Sequence, residues 1–275
     1  MELSKAGHAL NRSTATLTLG HLAAKDKEII PTVVPFLIEL FESEEQPVMN
    51  RKAAATALGL VGPDAKAAVP ALCGGLKRED AKEPGNPFGV HNSVLTALWR
   101  IGPAAEAAVP DLAALLQDNT RDRRDREWAA MALGAVGPAA KTAVPILIEA
   151  LKKTEHYAVR EAAAKALGAI GPEARSAVPA LIESMKREDS SVRWQPAVEA
   201  LGALGPAAES AVPALTEALK DLAPSIRQAA AEALGAIGPA ARSAVPALTG
   251  AMKDPVPEVR QAAAETLKKI EQKPE

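Results

Sequence analysis

Cysteine occurs once in these 275 residues, at Cys73, so neither an intrachain disulfide framework nor a thiolate metal set is available. Aromatic residues are nearly as scarce, with three Phe, one Tyr and three Trp making up 3% of the chain. Charge of one sign is also lacking: the net charge of −2 gives no basic field for a sequence-independent grip on nucleic acid. Uninterrupted apolar runs long enough to cross a bilayer are missing. Met1 to Leu10 shows neither the charged nor the apolar region of a secretory signal, so a cytoplasmic location is expected. What the chain does have is Ala, Leu and Val. The hydrophobic fraction of 48% argues against disorder for its body. Cys73 sits in an apolar helical run and reads as a small buried hydrophobe.

The second abundant feature is repetition. Gly-Pro recurs at Gly62-Pro63, Gly102-Pro103, Gly137-Pro138, Gly171-Pro172, Gly205-Pro206 and Gly238-Pro239, with spacings of 40, 35, 34, 34 and 33 residues. Seven residues after each of those prolines stands a Val-Pro, from Val69-Pro70 to Val245-Pro246, and Val34-Pro35 extends the series. Each unit reads as two helices. Val144, Leu147, Ile148 and Leu151 mark one face of the first, and Val159, Ala163, Ala166, Leu167 and Ile170 mark one face of the second. Gly171 follows the last apolar residue and suits a left-handed helix end, after which Pro172 prevents resumption. Pro145 either starts the first helix or kinks it. Gly168, in Ala166-Leu167-Gly168, reads as a close-approach residue between neighbouring helices.

Arginine is the next marker. Arg12, Arg51, Arg126, Arg160, Arg227 and Arg260 each stand seven residues before the Leu of that motif; His91 replaces it once, and Arg193 lies eight before Leu201. The eight-residue spacing implies one extra residue near Pro196. Asp221 and Asp254 stand six ahead of their Arg, and Lys153 and Arg187 are read as occupying that place elsewhere. This layout resembles the HEAT-repeat family, in a Gly-Pro-punctuated variant, over roughly residues 10 to 270. The resemblance implies an all-α, right-handed α-α superhelix of about seven helix pairs. It also implies an Asp–Arg ladder between units, formed by Arg51, Arg126, Arg160, Arg193, Asp221, Arg227, Asp254 and Arg260 and incomplete where the Asp is missing. We expect one solenoid over 1–275, with N-terminal units at 10–61, regular units at 62–259 (irregular over 79–128) and a C-terminal capping helix at 260–275. Arg12 to Leu22, with Thr14, Thr16 and Thr18, suits either a cap or an interior repeat.

Enzymes built on such repeats carry specific residues. The deoxyhypusine hydroxylases of the superfamily hold iron with His-Glu pairs, whereas His8, His21, His91 and His156 are scattered, none is followed by Glu, and surface or capping roles are expected for them. HEAT-like DNA glycosylases use basic and aromatic residues on the concave face. Here the positions one and five after the repeat Arg run from Lys52 and Thr56 through Glu127 and Met131 to Gln261 and Glu265, turning acidic. No nucleophile motif or phosphate-cradling glycine loop occurs. No catalytic role, metal or cofactor is therefore expected, with a chromophore or cofactor lyase of HEAT-like form as the alternative class.

Function is sought where the repeats break their rule. Glu79 to Val90 is an insertion rich in Pro, Gly and Asn, hence a loop. Asp118 to Glu127 is dense in Arg and Asp and reads as a solvated, self-neutralising loop. Phe88, Trp99, Trp128, Tyr157 and Trp194 fall in the same four units, Trp99 on a packing-glycine site and Trp128 on an alanine site. These aromatics are either binding anchors or fillers of irregular packing, with Trp99 read as a core residue. The expectation is a protein-protein interaction scaffold or assembly module, monomeric or part of a larger chain. It binds a protein, and neither nucleic acid nor membrane, through the second-helix face and the edge carrying Phe88, His91, Arg124, Glu127, Trp128, Met131, Tyr157, Glu161 and Trp194.

Overall fold

In a computed structural model the chain is helical throughout its described residues, which are 2–78, 90–187 and 191–271, with side chains described for 12–78, 90–186 and 194–271. The insertion containing Phe88 lies outside them. No strand occurs among the described residues. A leading helix, α1 (Glu2–Lys25), is followed by α2 (Ile30–Glu42) and α3 (Val48–Val61), then α4 (Val69–Lys77) and α5 (Val90–Ile101), then α6 (Val109–Gln117) and α7 (Arg123–Val136). The remaining pairs are α8 (Val144–Lys153) with α9 (Tyr157–Ile170), α10 (Val178–Arg187) with α11 (Ser191–Ala203), α12 (Val212–Ala218) with α13 (Pro224–Ile237), and α14 (Val245–Ala251) with α15 (Pro257–Glu271). Contacts divide the chain into two compact units, Met1–Ala139 and Ala140–Glu275. Within each, second helices stack on second helices, α1 on α3 on α5 on α7, and α9 on α11 on α13 on α15.

At each of the six Gly-Pro sites the repeat carries a third element that periodicity alone does not reveal, a seven-residue 3-10 segment between second and first helix, as at Gly62–Ala68 and Gly171–Ala177. It begins at the Gly-Pro glycine, whose φ lies between 58° and 73° at all six positions. The ψ of −139° at Gly62 and −145° at Gly171 is far from left-handed helix. This conformation is open to glycine almost alone, a stronger demand than the helix-ending role expected. The ambiguity over Val-Pro resolves as well: from Val69-Pro70 to Val245-Pro246 the pair forms the first two residues of the first helix, where a missing N–H costs nothing, whereas Pro35 of Val34-Pro35 lies inside α2. Among the described residues Arg123–Lys153 is long and apolar enough to cross a membrane by length and composition, although no uninterrupted apolar run occurs in it. It is divided at Gly137-Pro138 into α7, a 3-10 segment and α8.

Small residues set the stacking distance. A Cβ on Gly20 would sit 2.7 Å from the Ala57 Cα, on Gly59 2.8 Å from Ala97, on Gly168 3.0 Å from Ala200 and on Gly202 3.1 Å from Ala233. Gly of one repeat thus faces Ala of the next at backbone contact, as the Ala-Leu-Gly motif suggested. Ala54, Ala97, Leu98, Leu112, Leu116 and Leu133 in the first unit, and Leu147, Leu167, Leu215, Ala230 and Leu234 in the second, are fully buried between these layers. The core is therefore built from many small contacts that no single helix pair can supply.

Candidate interaction face

The repeat Arg governs where the polar chemistry goes. Every second helix from α7 onwards starts three residues before its register position, as α7 does for Arg126, α9 for Arg160, α13 for Arg227 and α15 for Arg260. From there the guanidinium turns back onto its own interhelix loop. Arg160 Nη1 donates to the carbonyls of Thr154 (3.1 Å) and Glu155 (3.0 Å), Arg227 Nη1 to Asp221 (2.9 Å) and Leu222 (3.1 Å), and Arg260 Nη1 to Asp254 (2.7 Å) and Pro255 (2.9 Å). Arg126, whose loop is longer, reaches back to the Leu116 carbonyl through Nε at 3.0 Å. The Arg is first of all a clamp on its own loop.

The ladder between repeats is completed in one described place. Arg227 donates Nε to Asp254 Oδ2 at 2.7 Å and Nη2 to Oδ1 at 2.8 Å, a bidentate pair with side chains 12% and 9% exposed. These hydrogen bonds, with Arg227 the leading cause, hold the Asp254 carboxyl below its ordinary range, and the same pairing raises Arg227. Asp254 and Asp221 also accept the backbone N–H two residues on, fixing the loop. Where the Asp is missing before Arg160, its place is taken by Thr154 and not by Lys153. The Thr154 hydroxyl is buried and accepts the His156 N–H at 3.4 Å. At the other end, Arg12 Nη1 donates to Gln46 at 3.1 Å.

The eleventh helix corrects a second assignment. It begins at Ser191, three residues before Trp194, so Trp194 and not Arg193 stands in the register of the repeat Arg. The extra residue lies ahead of the helix and not near Pro196, and the Arg193 side chain lies outside the described residues. Trp194 is half-buried, while Pro196 is buried inside the helix.

His91 is corrected in turn. It is 3% exposed, so it is an interior group and not a surface contact for a partner. Its Nδ1 lies 3.3 Å from Asp125 Oδ2 and 3.5 Å from Arg121 Nη1, and Arg121 Nε lies 3.5 Å from Asp118. A histidine is too short to span to the next loop, and here the next loop supplies the guanidinium itself. Asp118 further accepts from the Thr120 N–H (2.9 Å) and hydroxyl (2.6 Å), bonds that lower its pKa, and Asp122 caps α7 at the Arg124 N–H (2.8 Å). The Arg-Asp run is thus largely exposed and self-neutralising, as expected, and it is in addition ordered and supplies a substitute for a ladder rung.

What is left for a partner is narrow. On each second helix only the positions one, five and nine after the register residue form a continuous accessible stripe. In the first unit this stripe is Lys52, Thr56 and Leu60 on α3, Asn92, Thr96 and Arg100 on α5, and Glu127, Met131 and Ala135 on α7. Beside it stands an aromatic pair: Trp99 and Trp128 meet edge to face, centroids 6.2 Å apart at 79°. Trp99 is 39% exposed and so is not a core residue; a Trp on the packing-glycine site has no room against the next helix and turns outward. Arg124 is exposed at the start of α7.

In the second unit the stripe is Glu161, Lys165 and Ala169, then Gln195, Glu199 and Ala203, then Gln228, Glu232 and Ala236, then Gln261, Glu265 and Lys269. Each of these helices pairs its first two stripe residues: Lys165 to Glu161 at 2.6 Å, and Gln195 to Glu199, Gln228 to Glu232 and Gln261 to Glu265 at 2.8 Å each. Tyr157 lies under the Arg160 guanidinium, 5.9 Å from ring centroid to carbon, and lines a shallow cleft with Glu161, Ser184 and Pro196. Chemistry of other kinds finds little here. The Cys73 thiol is pushed up to about 11 by burial and then by Asp111, and no three His, Cys, Asp or Glu side chains converge among the described residues.

Residues 119–202, 144–235 and 212–275 match the family of HEAT repeats, together more than half of the chain. No curated protein matches the chain by sequence. Among solved structures, Kap121p bound to Ste12p is similar over 98% of this chain at 16% identity and a TM-score of 0.63, and the chain spans 32% of that protein. A designed armadillo repeat protein in complex with the peptide (KR)4 is similar over 86% of this chain and 99% of its own length, at 15% identity and a TM-score of 0.52. A chain from a structure of the cadherin and β-catenin interaction is similar over 95% of this chain and 58% of its own, at 15% identity and a TM-score of 0.53. At these identities the likeness is one of fold, an α-solenoid of the HEAT and armadillo kind.

Proposed function

This chain belongs to the HEAT-repeat family, and on that premise we propose that it is a non-catalytic scaffold that binds a protein partner through the exposed stripe of its second helices. The observation that carries this reading is how the polar groups are used. The repeat Arg residues, Asp254, Thr154 and the His91 network are spent on loops and neighbours, whereas the stripe and the Trp99–Trp128 pair are the organised groups that still face outward. Half-exposed Trp on a rigid helix offers large contact area at small entropic cost, the property of interface anchors. The similar structures are of proteins held with protein or peptide partners, which supports the same reading. Trp128, Glu127 and Met131 serve the first unit; Tyr157, Glu161 and Trp194 serve the second.

Site-specific photo-crosslinking tests it. A crosslinker in place of Met131 or Glu232, on the stripe, is expected to capture a discrete partner in native lysate. The same group in place of Pro70 or Pro213, exposed on first helices, is expected to capture none. Equal capture from both sets would overturn the assignment of the face.

A further inference from the structure

We infer that the stripe of the second unit docks an extended, basic protein segment, with lysine or arginine recurring about every third residue; this rests on the scaffold reading above. Glu199, Glu232 and Glu265 occupy the same stripe position on three consecutive stacked helices, all exposed. Each accepts one hydrogen bond from its own helix's Gln, and no cation stands within 4.0 Å of any of them among the described residues. The repeat arginines are committed elsewhere, Arg227 to Asp254 and its own loop and Arg260 to its own loop carbonyls, and the cations near the end of α15, Lys268 and Lys269, form no ion pair with Glu265. Glu161 on α9 shows the compensated alternative, since Lys165 neutralises it at 2.6 Å. Three neighbouring helices therefore each present a carboxylate without an ion-pair partner, and the stripe they share stays net negative with Lys269 at its end.

The stacking sets the spacing of that charge. Gly168 against Ala200 and Gly202 against Ala233 bring helix backbones into contact, which places the axes at the short end of the usual range of about 8–10 Å. An extended chain advances about 3.3 Å per residue, so about three residues span one repeat. The pinned Gln amides leave Gln195, Gln228 and Gln261 carbonyl oxygens beside the carboxylates, so the stripe offers acceptors at every step. A segment crossing these helices meets it best with donors and positive charge in the same rhythm.

The test is fluorescence anisotropy with labelled peptides of equal length, one bearing Lys at every third position and the others Gln or Glu there. The full chain is compared with E199Q/E232Q/E265Q and with E173Q/E209Q/E217Q, which removes equal charge from other elements. Circular dichroism checks each fold. The wild-type chain is expected to bind the Lys peptide in preference to the other two and to lose it as salt rises. The stripe variant is expected to weaken binding by about tenfold, three exposed pairs acting together, while the control variant leaves it unchanged. A charge-swapped chain, E199K/E232K/E265K, is expected to prefer the Glu peptide. Indifference of wild type to peptide charge, or equal weakening by both Gln variants, would overturn the inference. If the crosslinker on the stripe still captures a partner while the Lys peptide goes unbound, the scaffold reading stands and only the basic segment falls.

Discussion

The two units of this chain are built from the same repeat and differ in how strictly they keep it. The second is more regular: its last three stripe helices repeat Gln and Glu, a Cβ on Gly168 or Gly202 would meet Ala200 or Ala233 at 3.0 and 3.1 Å, and its clamp is completed by the Arg227–Asp254 rung. Its departures are Trp194 and Pro196 on α11. The first carries His91 in place of the Arg, a Trp in place of a packing glycine, and a loop that brings Arg121 and Asp125 back to the histidine. Each irregularity is answered locally. A missing guanidinium is replaced from the next loop, and a bulky side chain is turned outward onto a second Trp. A repeat thus tolerates large departures provided that the displaced interaction is rebuilt within a neighbour's reach.

The sharpest way to break this comparison is to overfill the close contacts. Gly59→Leu and Gly168→Leu place a side chain against the backbone of Ala97 and Ala200, and each is expected to cost about 3 kcal/mol in chemical denaturation. A Leu accommodated at either site without loss would show that helix spacing is adjustable there. Next in size is Asp254→Asn, which breaks the bidentate pair and is expected to cost about 1–2 kcal/mol at neutral pH. Because Arg227 holds the Asp254 carboxyl below its ordinary range, that stability is present above the ordinary Asp pKa of about 3.9 and is lost as pH falls through the folded value. Wild type and variant should therefore converge in strong acid; a difference that persists there would assign the effect to packing. Trp99→Ala removes the edge-to-face pair and is expected to cost about 1 kcal/mol, a smaller loss than a buried Trp would give. Smallest is Glu161→Gln, which opens an exposed pair with Lys165 and should shift stability by about 0.3 kcal/mol, vanishing in high salt.

Much of the architecture was legible because it is written in periods. Gly-Pro, Val-Pro and Ala-Leu-Gly mark helix end, helix start and helix contact, and each is found where the spacing put it. The 3-10 segment carries no sequence period of its own, because the small residues that fill it suit any conformation. A search for charge points to Lys153, whereas the position needs an acceptor for the N–H two residues on, and the Thr154 hydroxyl serves. Residue type favours Arg193, but the register is set by the helix start at Ser191, which depends on a loop length not visible as a motif, and places Trp194 there. The outward turn of Trp99 and the burial of His91 depend on neighbours across the stack, and no single repeat contains that information.

The contact between Gly168 and Ala200, renewed between Gly202 and Ala233, also bears on how such a chain can change length. Excise one full period and Gly168 would come to face Ala233, a junction of the same two residue types as those removed. Duplicate one and every new junction is again glycine against alanine. At these inner stacking contacts gain or loss of a period in register leaves no seam, whereas Gly235 meets Thr266 on the last helix and ends the series. Around Trp99 the same operation would copy a side chain that fits one neighbour only, so that region is fixed in number as well as in shape.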